Sequence, residues 1–199
     1  MEYIIAGLGN PGEEYENTRH NVGRMVAEKI RYSINASDWR DDKKLRARMA
    51  QGIVGEEKVT LVLPDNYMNR SGGSLAPLVT TKKQAEHLIV IHDDIDLPLG
   101  TIRIVFDRGA GGHNGVLSIE RTLKTRAFVR VRVGVVPVTA DGKQKKPQGE
   151  DKVYDFILQQ LRKKEREAVD VVVERAMYAV LAVVNNGRES AMQEFNRSE

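Results

Sequence analysis

Two hydrophobic periods alternate along this chain from one end to the other, and that alternation limits its fold more than any other feature. Tyr3 to Leu8 is a short apolar run with a glycine stop, as expected of a buried strand. Met25, Val26, Lys29 and Ile30 follow helical spacing after a turn at Asn21 to Gly23. Val59 to Leu63 reads as a strand ended by Pro64, and Gly72 to Val79 as a short helix with Ser71 as its N-cap. Leu88 to Ile91 is continuously apolar, which suits a central strand, and Thr101 to Phe106 alternates as a half-exposed one does. Asn114 to Leu123 reads as a helix opening directly after glycines. Val129 to Val136 alternates strictly, with Arg130 and Arg132 on one face and Val129, Val131, Val133 and Val135 on the other. Pro137 to Asp151 reads as a long, mobile, basic loop. Ala168, Val171, Val172, Ala176, Ala179, Val180 and Val183 then mark a helix from Glu167 to Asn186, ended at Gly187 and followed by a last helix at about Arg188 to Phe195. With no internal repeat and no linker, the expectation is one α/β domain over residues 1–199: a twisted mixed β-sheet flanked by helices on both faces.

Composition narrows the chemistry. The chain has no cysteine, so disulfides, thiolate metal sites and cysteine nucleophiles are excluded, and a reducing cytoplasm fits. No apolar run is long enough to cross a membrane, and the amino terminus has no basic leader before its apolar stretch, so no signal peptide is expected. A formal charge of +3 permits a nucleic-acid partner without demanding one.

The unusual polar residues fall into four clusters, each placed just beyond an expected strand, where α/β sheets commonly carry their sites. The first runs from Gly7 through Asn10, Pro11, Gly12 and Tyr15 to His20 and Asn21. Gly7, Gly9 and Gly12 match a G-x-G-x-x-G dinucleotide fingerprint. The turn-forming Asn10-Pro11-Gly12 and the unperiodic residues after it argue against the helix that fingerprint needs, and a glycine-rich turn serving only the backbone leaves Asn10 and His20 unexplained. The second, Asn66 to Gly72 with Met68 and Asn69 inside it, is by itself a plain helix entry. The third, His92-Asp93-Asp94-Ile95-Asp96-Leu97-Pro98, has three carboxylates that suit Mg²⁺, a turn cap, or the orientation of a histidine. The fourth, Gly109 to Gly115 with His113 and Asn114 at its tip, lets backbone N–H groups approach an anion or a carbonyl. Three of the four histidines, His20, His92 and His113, lie in these clusters, and His87 reads as a surface residue.

Taken together the clusters resemble the bacterial peptidyl-tRNA hydrolase family. The matching stretches are G-L-G-N-P-G-x-x-Y-x-x-T-R-H-N at Gly7 to Asn21, Y-M-N-x-S-G at Tyr67 to Gly72, H-D-D-x-D-L-P at His92 to Pro98, and G-G-H-N-G at Gly111 to Gly115. The resemblance implies an esterase that frees peptide from peptidyl-tRNA, acting in the cytoplasm as a monomer with no cofactor, no metal, no membrane contact and no obligate protein partner. It implies His20 as general base and Asp93 as the carboxylate that orients it. Asn10, Asn69 and Asn114 correspond to amides that position peptide, scissile ester and attacking water. Tyr15 and Met68 correspond to residues lining the cleft, and His113 to one at the terminal adenosine. Arg132 matches a phosphate-contacting arginine. Val105 stands where family members often carry a phosphate-gripping lysine, which leaves Arg103 or Arg108 as substitutes. The match is weakest from Pro137 onward.

These residue types suit that reaction. Ester hydrolysis needs a placed water, a base and donors for the developing oxyanion. A neutral imidazole titrates near working pH, and a carboxylate on its far nitrogen fixes the tautomer and stabilises the imidazolium. Asp93 is the first choice for that carboxylate, with Asp94 and Asp96 as alternatives. Backbone N–H groups near Gly111 and Gly112 are candidate oxyanion donors. No serine sits in a nucleophile elbow, so direct attack by water is favoured over an acyl-enzyme. Three rivals remain: an RNA-binding relative without activity, a dinucleotide enzyme built on Gly7, Gly9 and Gly12, and a hydrolase of small esters or amides.

Overall fold

The computed structural model describes residues 2–139 and 141–197. One mixed sheet of seven strands runs through the chain. Its strands are β1 (Glu2–Gly7), β2 (Arg40–Asp42), β3 (Ala47–Val54), β4 (Glu57–Pro64), β5 (Leu88–Pro98), β6 (Ile102–Phe106) and β7 (Val129–Val136), in the spatial order β2-β3-β4-β1-β5-β7-β6. β4, β1, β5 and β7 are mutually parallel; β6 pairs antiparallel with β7 at one edge, and at the other β3 pairs antiparallel with β4 and β2 with β3. The helices are α1 (Val22–Ser33), α2 (Ser71–Leu75), α3 (Lys82–Ala85), α4 (Asn114–Leu123), α5 (Glu150–Leu158), α6 (Lys163–Asn186) and α7 (Arg188–Phe195).

Both faces of the sheet are covered, as its near-continuous apolar central strands require. Ile5, Ile89, Ile91, Val129, Val131 and Val133 bury one face against Val22, Val26 and Ile30 of α1 and the valine stripe of α6. Ile4, Ala6, Leu88 and Val90 bury the other against Leu75 of α2 and Val116 and Ile119 of α4. The glycine fingerprint serves this packing. A Cβ at Gly7 would lie 2.5 Å from the carbonyl oxygen of Gly23, so the pair lets α1 press its first turn onto β1.

Several expectations need correction. The His92 to Pro98 cluster lies inside β5, which continues to Pro98; between Asp94 and Pro98 the ladder to β7 slips, as at a bulge. Polar residues in that stretch imitate a loop, but the bulge gives each carboxylate its own partner. Ser71 is not an N-cap. It opens a five-residue helix, and its hydroxyl donates to the carbonyl of Met68 at 2.9 Å. The basic loop ends at Gly149, because Glu150 starts α5; Ala140 of that loop lies outside the described residues. α6 starts at Lys163 rather than Glu167, with Glu165 accepting from the backbone N–H of Arg162 at 3.0 Å. His87 does lie at the surface, partly covered by the Tyr3 ring, whose centroid is 5.1 Å from its own.

Candidate active site

The parallel strands β1, β4 and β5 all end on one side of the sheet, and the segments after them build the site. Beyond β1, Asn10 is nearly buried, and the chain returns through a 3₁₀ turn at Arg19–Asn21 that carries His20 into α1. Beyond β4, a second 3₁₀ turn, Met68–Arg70, holds Met68 and Asn69. Asp93 stands in β5 itself, while His113 caps α4, whose first residue is Asn114.

Asp93 is the hub. Its Oδ1 lies 2.9 Å from His20 Nδ1 and 2.9 Å from His113 Nε2. An ionised carboxylate only accepts, so both imidazoles present N–H groups to the same oxygen. Asp93 is 3% exposed. Burial by itself would push its carboxyl up, but His20 and His113 more than reverse this and hold it well below the usual carboxylate range. The tautomer of His113 is fixed from its other side, where Nδ1 accepts the backbone N–H of Val116 at 3.3 Å. Behind this group, His92 donates from Nδ1 to the carbonyl of Asp93 at 2.7 Å, leaving Nε2 facing Arg130 Nη1 at 3.5 Å. Its complete burial, reinforced by the neighbouring His113 ring and the Arg130 guanidinium, holds the His92 imidazole well below its ordinary value and therefore neutral. The His92 and His113 rings lie 4.6 Å apart, and those of His20 and His113 5.2 Å apart.

The carboxamides form a second layer. Asn10 Oδ1 accepts the backbone N–H of Met68 at 2.9 Å, tying the β1 loop to the β4 loop. Asn21 grips the main chain of Asn10 with two hydrogen bonds of 2.8 and 2.9 Å. Met68 is buried beside Gly115, where a Cβ would sit 2.5 Å from its Sδ.

A cavity of about 330 Å³ opens over the hub, lined by His20, Asp93, His113 and Asn114 on the sheet side and by Val153, Tyr154 and Ile157 of α5 opposite. Helix α5 is held there through Arg19. That guanidinium donates to the carbonyl of Phe156 at 3.2 Å, stacks 4.2 Å from its ring and pairs with Glu165. A second hollow, of about 460 Å³, opens near the start of β1 between Glu2, Thr60, Lys83 and His87, and none of the four polar clusters reaches it.

The structure thus brings His20, Asp93, His113 and Asn114 to one cavity, with Asn10 and Met68 bound to the same framework. Tyr15 is half-buried in the turn Glu13–Tyr15, away from the cavity lining, and Asn69 is exposed on its turn. Asp94 and Asp96 do not reach His20: Asp94 takes Arg132 Nε at 2.6 Å, and Asp96 pairs with Lys146. Arg132 lies opposite Arg103 across the β6–β7 ladder and Val105 opposite Arg130, while the exposed Arg108 leads toward the glycine loop. Sequence reasoning missed Asn21, Arg19 and the α5 wall. Of these only α5 left a signal, the half-buried Val153, Phe156 and Ile157 at helical spacing.

Among the described residues, His20, Asp93 and His113 form the one group with ligand atoms close enough to share a metal ion, all within 4.8 Å. A metal there would have to displace both N–H protons facing Asp93, and the N–H of Val116 aimed at His113 Nδ1 holds the opposite tautomer in place. The arrangement suits proton transfer: a buried carboxylate orients an imidazole whose remaining nitrogen, Nε2, has no protein partner among the described residues.

The peptidyl-tRNA hydrolase family model matches residues 4–199. The chain is 40% identical to a peptidyl-tRNA hydrolase of Syntrophotalea carbinolica, with 97% of this chain and 96% of the relative covered. It is 42% identical to one of Caldanaerobacter subterraneus subsp. tengcongensis, with 98% and 99% covered. A crystal structure of peptidyl-tRNA hydrolase from Acinetobacter baumannii superposes with a TM-score of 0.86 at 30% identity, covering 99% of this chain and 95% of that one. With a match that runs almost end to end in sequence and in fold, the chain belongs to the peptidyl-tRNA hydrolase family.

Proposed function

We propose that this chain hydrolyses the ester between peptide and tRNA, recycling tRNA from peptidyl-tRNA released too early, with water activated by His20. The observation that carries the reading is the 2.9 Å contact between His20 Nδ1 and Asp93 Oδ1 at the edge of the cavity. Asp93 fixes the tautomer that leaves Nε2 as the acceptor, and its charge stabilises the imidazolium once Nε2 takes a proton from water. The hydroxide equivalent then adds to the ester carbonyl, and the ribose oxygen leaves with the proton returned by His20. No hydroxyl or thiol touches His20 among the described residues, which favours water over an acyl-enzyme.

Asn10, Asn69 and Asn114 position peptide, ester and water in this reading, and Tyr15 and Met68 shape the cleft. Asn10 has its oxygen committed to Met68, so only its NH₂ remains to donate. Arg132, helped by Arg103 and Arg108, contacts tRNA phosphates; Arg132 gives only Nε to Asp94, so both of its Nη groups stay available. We take residues 1–199 to work as one domain, a cytoplasmic monomer with neither cofactor nor metal. The test is release of N-acetylated amino acid from tRNA, run beside a small ester of the same acid. Rapid release from tRNA only is expected. Binding without release, or equal rates on both substrates, contradicts the reading.

A further inference from the structure

His113 has spent both ring nitrogens. Nδ1 accepts the N–H of Val116 at the start of α4, and Nε2 donates to Asp93 Oδ1, the same oxygen that holds His20. Its ring is flanked by His92 at 4.6 Å and His20 at 5.2 Å. A ring so engaged has no nitrogen left to recognise a nucleobase by hydrogen bonding, and what it does hold is the carboxylate of the catalytic pair. We propose that His113 is a positioning residue for Asp93: anchored on the first turn of α4, it fixes where Oδ1 sits and shares that oxygen's charge with His20. The inference rests on the proposed ester hydrolysis and names how its base is tuned.

Two hydrogen bonds to one oxygen divide its charge. Without the second donor, Asp93 serves His20 alone, and the whole charge of Oδ1 falls on that one ring. The carboxylate also loses one of the two contacts that hold its rotamer, so the His20 ring is placed less firmly. The other charged or titratable groups around the hub are His92 with Arg130 behind it, and Asp94, Glu150 and Tyr154 along the cavity wall. All five are kept when only His113 is replaced.

Two substitutions separate this role from a contact with substrate. His113→Asn keeps a strong helix cap, but its short amide stops short of Asp93. His113→Gln places an N–H near the position of Nε2 and gives up much of the cap. Kinetics on N-acetylaminoacyl-tRNA across pH, with thermal melts, are read for both against the unaltered chain. For His113→Asn, kcat should fall about tenfold with KM little changed, and the acid limb of kcat should move to higher pH. For His113→Gln, most of kcat and the original acid limb should be recovered, although its melting temperature is the lower of the two. Equal losses in both variants, confined to KM and with the acid limb unmoved, would overturn the proposal in favour of a substrate contact. Absence of hydrolysis by the unaltered chain would instead strike the functional reading beneath it.

Discussion

Asn21 holds Asn10 by its peptide rather than by its side chain: Asn21 Oδ1 accepts the N–H of Asn10 at 2.8 Å, and Asn21 Nδ2 donates to the Asn10 carbonyl at 2.9 Å. Asn21 is 2% exposed and comes directly after His20 on the 3₁₀ turn, so one carboxamide sets the β1 loop at a fixed distance from His20. Asn21→Asp keeps the shape but turns a donor into an acceptor facing a carbonyl. We expect a folded protein, destabilised by about 1–3 kcal/mol, with kcat/KM lowered about tenfold or more. In an Asn10→Ala background the stability cost should persist while the cost in kcat/KM largely disappears. Melts and kinetics on the four proteins of that cycle decide it, and multiplicative losses in activity would count against the coupling.

The buried His92 makes stability depend on pH. Its imidazole is held well below the ordinary value of 6.5, so in the folded chain it stays neutral while in the unfolded chain it takes up a proton below that pH. The unfolded state therefore binds more protons, and stability falls as pH drops below about 6.5, by up to about 1.4 kcal/mol per unit from this one group. Asp93 adds a loss in the same direction at lower pH, since its depressed carboxyl must be protonated as pH falls from 3.8 through its folded value. Denaturant midpoints between pH 5 and 7.5 should show a shallower slope for His92→Gln than for the unaltered chain. An unchanged slope contradicts a neutral buried His92.

Arg132 meets Asp94 through Nε at 2.6 Å and pairs in register with Arg103 on the neighbouring strand. Arg132→Gln should weaken binding of uncharged tRNA and lower the dependence of log affinity on log salt by about one unit, the share of a single phosphate contact. Titrations between 50 and 200 mM salt test it. A slope equal to that of the unaltered chain removes Arg132 from the interface.

The parts of the fold that could be read from the sequence are those where burial writes a period into it. β7 ends where its alternating valines end, and α4 spans the stretch expected from Asn114 to Leu123. Strands β2 and β3 escaped because they form a sheet edge: Arg40 to Asp42 bury nothing fully, and β3 breaks its alternation at Gln51 and Gly52. The start of α6 escaped because Lys163 to Arg166 are all charged, and the helix is begun by the reach of Glu165 back to Arg162. In the candidate site, residue types and neighbouring motifs pointed to His20 and Asp93. The second imidazole on Asp93 and the clamp on Asn10 did not show, since each joins residues through tertiary geometry that leaves no period and no spacing. The fate of Asp94 and Asp96 was hidden for the same reason: their cations come from β7 and from the loop after it.

The role of His20 is tested most directly by single-turnover hydrolysis of N-acetylaminoacyl-tRNA with the unaltered chain and with His20→Ala, beside thermal melts to show that both are folded. The substitution should slow hydrolysis by about 10²–10⁴-fold while tRNA still binds. A folded His20→Ala protein that hydrolyses within about threefold of the unaltered rate would contradict a base at that position.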